Sequence, residues 1–176
     1  MMIPIEKLKS CDVLLYKGKG FKSHLIQWGT KSLYNHVAVV VDPAINLAIE
    51  SNTGHQSGVR ALDLRQLDEQ EIDIFRVKAE FPFNQNDVIS YLVGHLGSGF
   101  DFWGVTWLGV LKVLHLKNQS NQWQKDKDYF CSELCYEAFN MGRLDIVPQV
   151  GEADITSPGD IARSERVEKI ILAQTE

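Results

Sequence analysis

Short apolar runs closed by turn residues dominate the first half of the chain, and helical spacing takes over in the second. Val13 to Tyr16 follows Asp12 and runs into Lys-Gly-Lys-Gly, which predicts a buried strand entering a turn. Ser23 is placed to cap a brief helix through Leu25, Ile26 and Trp28. Tyr34 to Val41 is dense in β-branched residues and stops at Asp42-Pro43, the pattern of a strand central to a sheet. Asn46 to Ser51 reads as the return strand of a hairpin turning at Asp42-Pro43-Ala44, and antiparallel pairing brings Glu50 back towards His36. Val59 to Leu64 predicts another strand or bridge, Leu64 to Leu67 a helical turn, and Ile72 to Val77 an alternating strand.

Helical spacing begins at Asn84, which with Asp87 opens a helix carrying Val88, Tyr91 and Leu92 and ending near His95. In the most apolar stretch, 100–116, Trp103, Trp107, Val110 and Leu114 recur at helical intervals. Gly104, Gly109 and Lys112 interrupt it, and it is too short to span a bilayer. It is read first as a core helix and second as a greasy substrate wall or membrane-leaning surface. A polar loop, 117–128, leads to a helix in which Phe130, Leu134, Ala138 and Met141 fall on one side, with Asp128 as N-cap and Gly142 as the C′ residue. The tail passes through Ser157-Pro158-Gly159-Asp160 to a last strand from Val167 to Leu172. Strands first and helices later, with no repeat and no composition break, predict one α+β domain over 1–176.

Composition narrows the function classes. The 176 residues are 44% hydrophobic with a net charge of −5, and no basic block stands out. Nucleic acid is therefore not an expected partner, and no polybasic patch calls for a charged membrane. Three cysteines, at 11, 131 and 135, make no disulfide framework and suit a reducing compartment. The N-terminal residues lack the apolar core of an export signal, so a cytoplasmic location is expected.

The chemistry centres on Cys131. In the first turn of its helix it meets unpaired N–H groups and the positive end of the helix dipole. A thiol so placed can have its pKa drawn from about 8.5 towards roughly 3.5–7.5, most of all beside an imidazolium. His36, at the start of the central strand, is the candidate base. Glu50, returning beside it, is the candidate that fixes the tautomer of the ring and steadies its cation. Plainer readings exist for each: cysteine as a small core residue, histidine as a hydrogen-bonded strand end, glutamate as a solvent-facing strand residue. Cys135, one turn on, reads as core. No cofactor is called for, and the cysteine pair lacks the further donors a metal site needs.

Segments spread along nearly the whole chain carry a resemblance: Asp12-Val-Leu-Leu, Asn35-His36-Val-Ala-Val-Val, Ala48-Ile-Glu50-Ser with Gly58-Val59, Phe100-Asp101-Phe102, Phe130-Cys131-Ser-Glu-Leu, and Ser157-Pro-Gly-Asp-Ile-Ala. Together they resemble the circularly permuted NlpC/P60 (YiiX/YebB-like) papain-like thiol hydrolases, relatives of the lecithin retinol acyltransferase group. The resemblance implies an antiparallel sheet carrying histidine and glutamate, packed against a later helix that carries the nucleophile. Two departures stand out. Cys11-Asp12 replaces the family's Gly-Asp, and Asn35-His36-Val37-Ala38 replaces Ser-His-Val-Gly, adding a methyl expected to crowd the cleft.

On this reading the protein is a cysteine amidase or peptidase with Cys131, His36 and Glu50 as its triad, acting on cell-wall-type peptides or lipid-like amides and esters. Tyr16 and Tyr34 are candidates for a second oxyanion donor, and Asp101 and Trp103 for contacts with substrate. A peripheral membrane or lipid contact fits the 100–116 stretch. Thiol acyl transfer to another acceptor, a non-catalytic lipid- or protein-binding module on the same fold, and a Cys131–Cys135 redox pair are the alternatives. Oligomeric state is not encoded in any pattern recognised here.

Overall fold

The computed structural model describes residues 4–17, 32–52, 58–67, 71–98, 131–150 and 156–170. Among them lie six strands, β1 (Val13–Tyr16), β2 (His36–Asp42), β3 (Leu47–Asn52), β4 (Gly58–Asp63), β5 (Ile72–Val77) and β6 (Val167–Ile170), and three α-helices, α1 (Gln85–Gly94), α2 (Cys131–Met141) and α3 (Pro158–Ala162). The strands form one sheet in the order β4-β3-β2-β1-β5-β6, with every neighbouring pair antiparallel. α2 lies against β2 and β3, α1 against α2, and α3 against β6.

The sheet is apolar on both faces, which is why β1 and β2 read as continuous runs instead of alternating ones. One face sends Val13, Leu15, Val37, Val39, Ile49 and Phe75 into a cluster with Leu134, Cys135, Ala138 and Phe139 of α2 and with Val88 and Leu92 of α1. The other face gathers Leu14, Ala38, Val40, Ala48, Ile72 and Ile74 with Leu8, Leu64 and Leu67. Ala38 is 1% exposed and its methyl packs in this second cluster.

Turns set the register. Asp42 accepts a hydrogen bond from the Ala44 N–H at 2.9 Å and caps a 3-10 turn, Pro43–Ile45, that Asn46 closes in the left-handed conformation. The pairing slips between Val40 and Asp42, yet Ala38 still opposes Glu50. Beyond it Glu50 opposes Arg60, and on the other side Tyr16 opposes His36. Directly opposed residues share a sheet face, as do residues two apart, so Tyr16, His36, Glu50 and Arg60 line one face across four adjacent strands.

Two local expectations change. Met141 is 55% exposed, and the buried stripe of α2 runs through Leu134, Cys135, Ala138 and Phe139. Gly142 is not the left-handed residue after α2; Arg143 is, at φ 66°. Gly142 is required instead by proximity, because a Cβ there would lie 2.5 Å from Val88 Cγ2 and 3.0 Å from the Asn84 carbonyl oxygen. Cys11, where the resembled family has glycine, holds φ 67°. The stretch 100–116, the loop 117–128, the N-cap Asp128, Phe130 and the brief helix after Ser23 lie outside the described residues.

Candidate active site

His36 is the first residue of β2, and its ring is held from two sides. Nε2 lies 2.7 Å from Oε2 of Glu50, and the Cys131 side chain hydrogen-bonds the same ring. Since Glu50 faces Nε2, the geometry leaves Nδ1 for the sulfur. The helix α2 opens with Cys131, so its first turn meets the ring at the end of the sheet where β2 begins. That turn is tied down by Ser132, whose hydroxyl donates to the Thr156 carbonyl at 2.6 Å.

Electrostatics favour a charged histidine. Burial alone would drive the imidazole pKa down. The negative charge and hydrogen bond of Cys131, followed by Glu50, reverse this and hold it up at about 10. Glu50 is 3% exposed, and burial opposes its charge as well. Hydrogen bonds from His36, Asn52 and Arg60 and the charge of His36 nonetheless hold the carboxyl down at about 2. An ionised carboxylate can only accept, so Nε2 carries the proton.

Tyr16 packs edge-on against the imidazole, with ring centroids 5.0 Å apart. Its hydroxyl is buried and has no hydrogen-bond partner among the described residues. Burial first, then the charges of Glu50 and Cys131, push the phenol pKa well up against the opposing pull of Arg60, so the hydroxyl keeps its proton and remains a donor. Tyr34 is differently engaged. Its hydroxyl donates to Asp73 at 2.6 Å, in a group that also takes in Lys17 and Lys169, so that proton is already committed. Asp101 and Trp103 lie outside the described residues.

Cys135 is 1% exposed and its thiol is pushed up by burial, first of all, and by the neighbouring cysteines; it packs as core. Arg60 was missed by the sequence reading. Its signal lay in the β3–β4 hairpin, since carrying the antiparallel register past the turn puts Arg60 across from Glu50.

No family model matches the chain, and no curated protein matches it. Among solved structures it is similar to the metalloprotein YiiX from Escherichia coli O157:H7, at 14% identity and a TM-score of 0.64, over 93% of this chain and 96% of that one. The likeness is one of fold.

Proposed function

We propose that the protein is a thiol hydrolase of permuted papain-like architecture that cleaves an amide or ester through a thioester on Cys131. The observation that carries this reading is the imidazole of His36 held between a cysteine at a helix start and a buried, ionised carboxylate.

The Cys131 thiolate attacks the substrate carbonyl carbon, and the carbonyl π electrons move onto oxygen. The N–H of Cys131, at the start of α2, and the Tyr16 hydroxyl, without a partner among the described residues, are the donors for that oxygen. The carbon–nitrogen or carbon–oxygen bond then breaks as imidazolium gives its proton to the leaving group. Water adds to the thioester, His36 takes the proton, and collapse releases the acid and the thiolate. Glu50 holds Nε2–H throughout, so Nδ1 always faces the sulfur.

Substrates are cell-wall-type peptides or lipid-like amides and esters, and an acceptor other than water would make the same thioester an acyl-transfer intermediate. A metal centre does not fit the donor set. Among the described residues no group of three or more His, Cys, Asp or Glu side chains is arranged to hold a metal ion, and both carboxylate oxygens of Glu50 already accept N–H donors.

The test is alkylation of Cys131 by iodoacetamide, resolved by mass spectrometry across pH on the intact protein. Reaction well below about pH 8, slowed by His36→Ala, is expected. Alkylation at the rate of an ordinary thiol would hand the fold to a non-catalytic binding role. Esters and peptides of graded chain length then choose the substrate class.

A further inference from the structure

The described residues contain three arginine–carboxylate forks, and one is lopsided. Arg76 sets Nε on Oδ1 and Nη2 on Oδ2 of Asp12, each at 2.7 Å. Arg65 likewise reaches both oxygens of Asp63. Such forks match two nitrogens to two oxygens and are the usual geometry of the pair. Arg60 instead brings Nε, at 2.9 Å, and Nη2, at 2.7 Å, to the single oxygen Oε1 of Glu50. Asn52 adds its side-chain N–H to the same oxygen at 3.1 Å. Oε2 is left to His36.

We propose that Arg60 is a positioning residue: by gripping Glu50 through Oε1 it turns Oε2 onto the imidazole and keeps it there. The terminal torsion of a glutamate is broad and nearly two-fold, so a carboxylate without such a grip can swing either oxygen, or neither, to the ring. Direct opposition of Arg60 and Glu50 across β3 and β4 makes the grip a property of the sheet register. Asn52, two residues along β3, shares the face of Glu50 and supports it. The charged and titratable groups around the carboxylate are His36 from β2, Tyr16 from β1, Arg60 from β4 and, through the ring, Cys131 from α2.

This inference rests on the reading of Cys131, His36 and Glu50 as one reacting group. It is tested on the full chain with Arg60→Lys, which retains charge without the fork, and with Arg60→Gln in case the first variant folds poorly. Alkylation of Cys131 near neutral pH is expected to slow about tenfold in Arg60→Lys, the equivalent of one charge-assisted hydrogen bond. Adding Glu50→Gln to Arg60→Lys should cost nothing beyond Glu50→Gln alone, because both act through one contact. A rate–pH profile superimposable on wild type, or losses that multiply, would overturn the proposal. A second readout is independent of sulfur chemistry: the Nε2–H proton resonance of His36, sharp in wild type, should broaden or vanish in Arg60→Lys. Its persistence there counts against the grip. Slow alkylation in wild type itself would instead strike the hydrolase reading, and the proton resonance would still decide the role of Arg60.

Discussion

The His36 ring and the Glu50 carboxylate, fourteen positions apart on neighbouring strands, meet at 2.7 Å with one side chain 18% and the other 3% exposed. Burial opposes both charges; for His36 the charge and hydrogen bond of Cys131, then those of Glu50, override it, and for Glu50 the hydrogen bond and charge of His36, then the bonds from Asn52 and Arg60, do so. His36 rises from 6.5 to about 10, so the stability it lends is complete below about pH 6.5 and is lost as pH climbs through 10. Glu50 falls from 4.5 to about 2, so its contribution is complete above about pH 4.5 and is lost as pH drops through 2. Glu50→Gln should therefore lower the melting temperature most between those inner limits, with the deficit shrinking towards alkaline pH. Melting curves of both proteins from pH 4 to 10 check this, and a deficit constant with pH would speak against a charged pair.

Tyr16→Phe separates stability from chemistry. The hydroxyl it removes is buried without a partner among the described residues, so the fold should be unharmed or slightly more stable. Turnover should fall by about 10²-fold if that hydroxyl steadies the developing oxyanion. Thermal melts and kcat on the same preparations give both answers, and an unchanged kcat would remove Tyr16 from the mechanism.

Asp12 and Arg76 brace the sheet where the chain enters β1. Asp12 is 1% exposed, and the Arg76 guanidinium also donates to the Lys7 carbonyl at 3.1 Å. Asp12→Ala strands the guanidinium and should cost about 3 kcal/mol, the lower end for breaking a buried pair because Arg76 is 23% exposed. Urea unfolding measures it. Replacing both residues by apolar ones should recover much of the loss.

Gly142→Ala should push α1 and α2 apart. The new methyl would sit 2.5 Å from Val88 Cγ2, and the Asn84 carbonyl at 3.0 Å cannot rotate away. A loss of about 1–3 kcal/mol is expected. Val88→Ala made alongside Gly142→Ala should recover part of it, and a double-mutant cycle by chemical denaturation tests that coupling.

The strands were legible because β-branched runs and turn residues act locally: Pro43 after Asp42 closes β2, and the hairpin it makes predicts that Glu50 returns to His36. What depended on approach between distant elements was not legible. Gly142 looks in sequence like a conformational glycine, and only Val88 and Asn84, far back along the chain, reveal it as a spacer. Met141 keeps helical spacing with Leu134 but lies at the helix end, where spacing no longer ensures a neighbour. Tyr34 and Tyr16 are equivalent on paper, and only the structure shows that Asp73 engages the hydroxyl of the first. Arg60 carries no motif; the strand register sets it across from Glu50, and only the oxygen it chooses distinguishes its contact from an ordinary fork.

Every group that would arm the sulfur comes from the strands between Tyr16 and Arg60, whereas the sulfur arrives on a helix held against them by packing and by the bond from Ser132 to Thr156. On the reading proposed above, lifting that helix would leave an ordinary thiol on one side and an imidazole with no sulfur to face on the other. A copy in which that helix has not docked would then carry only an ordinary thiol, and any heightened reactivity of Cys131 would belong to the finished molecule alone.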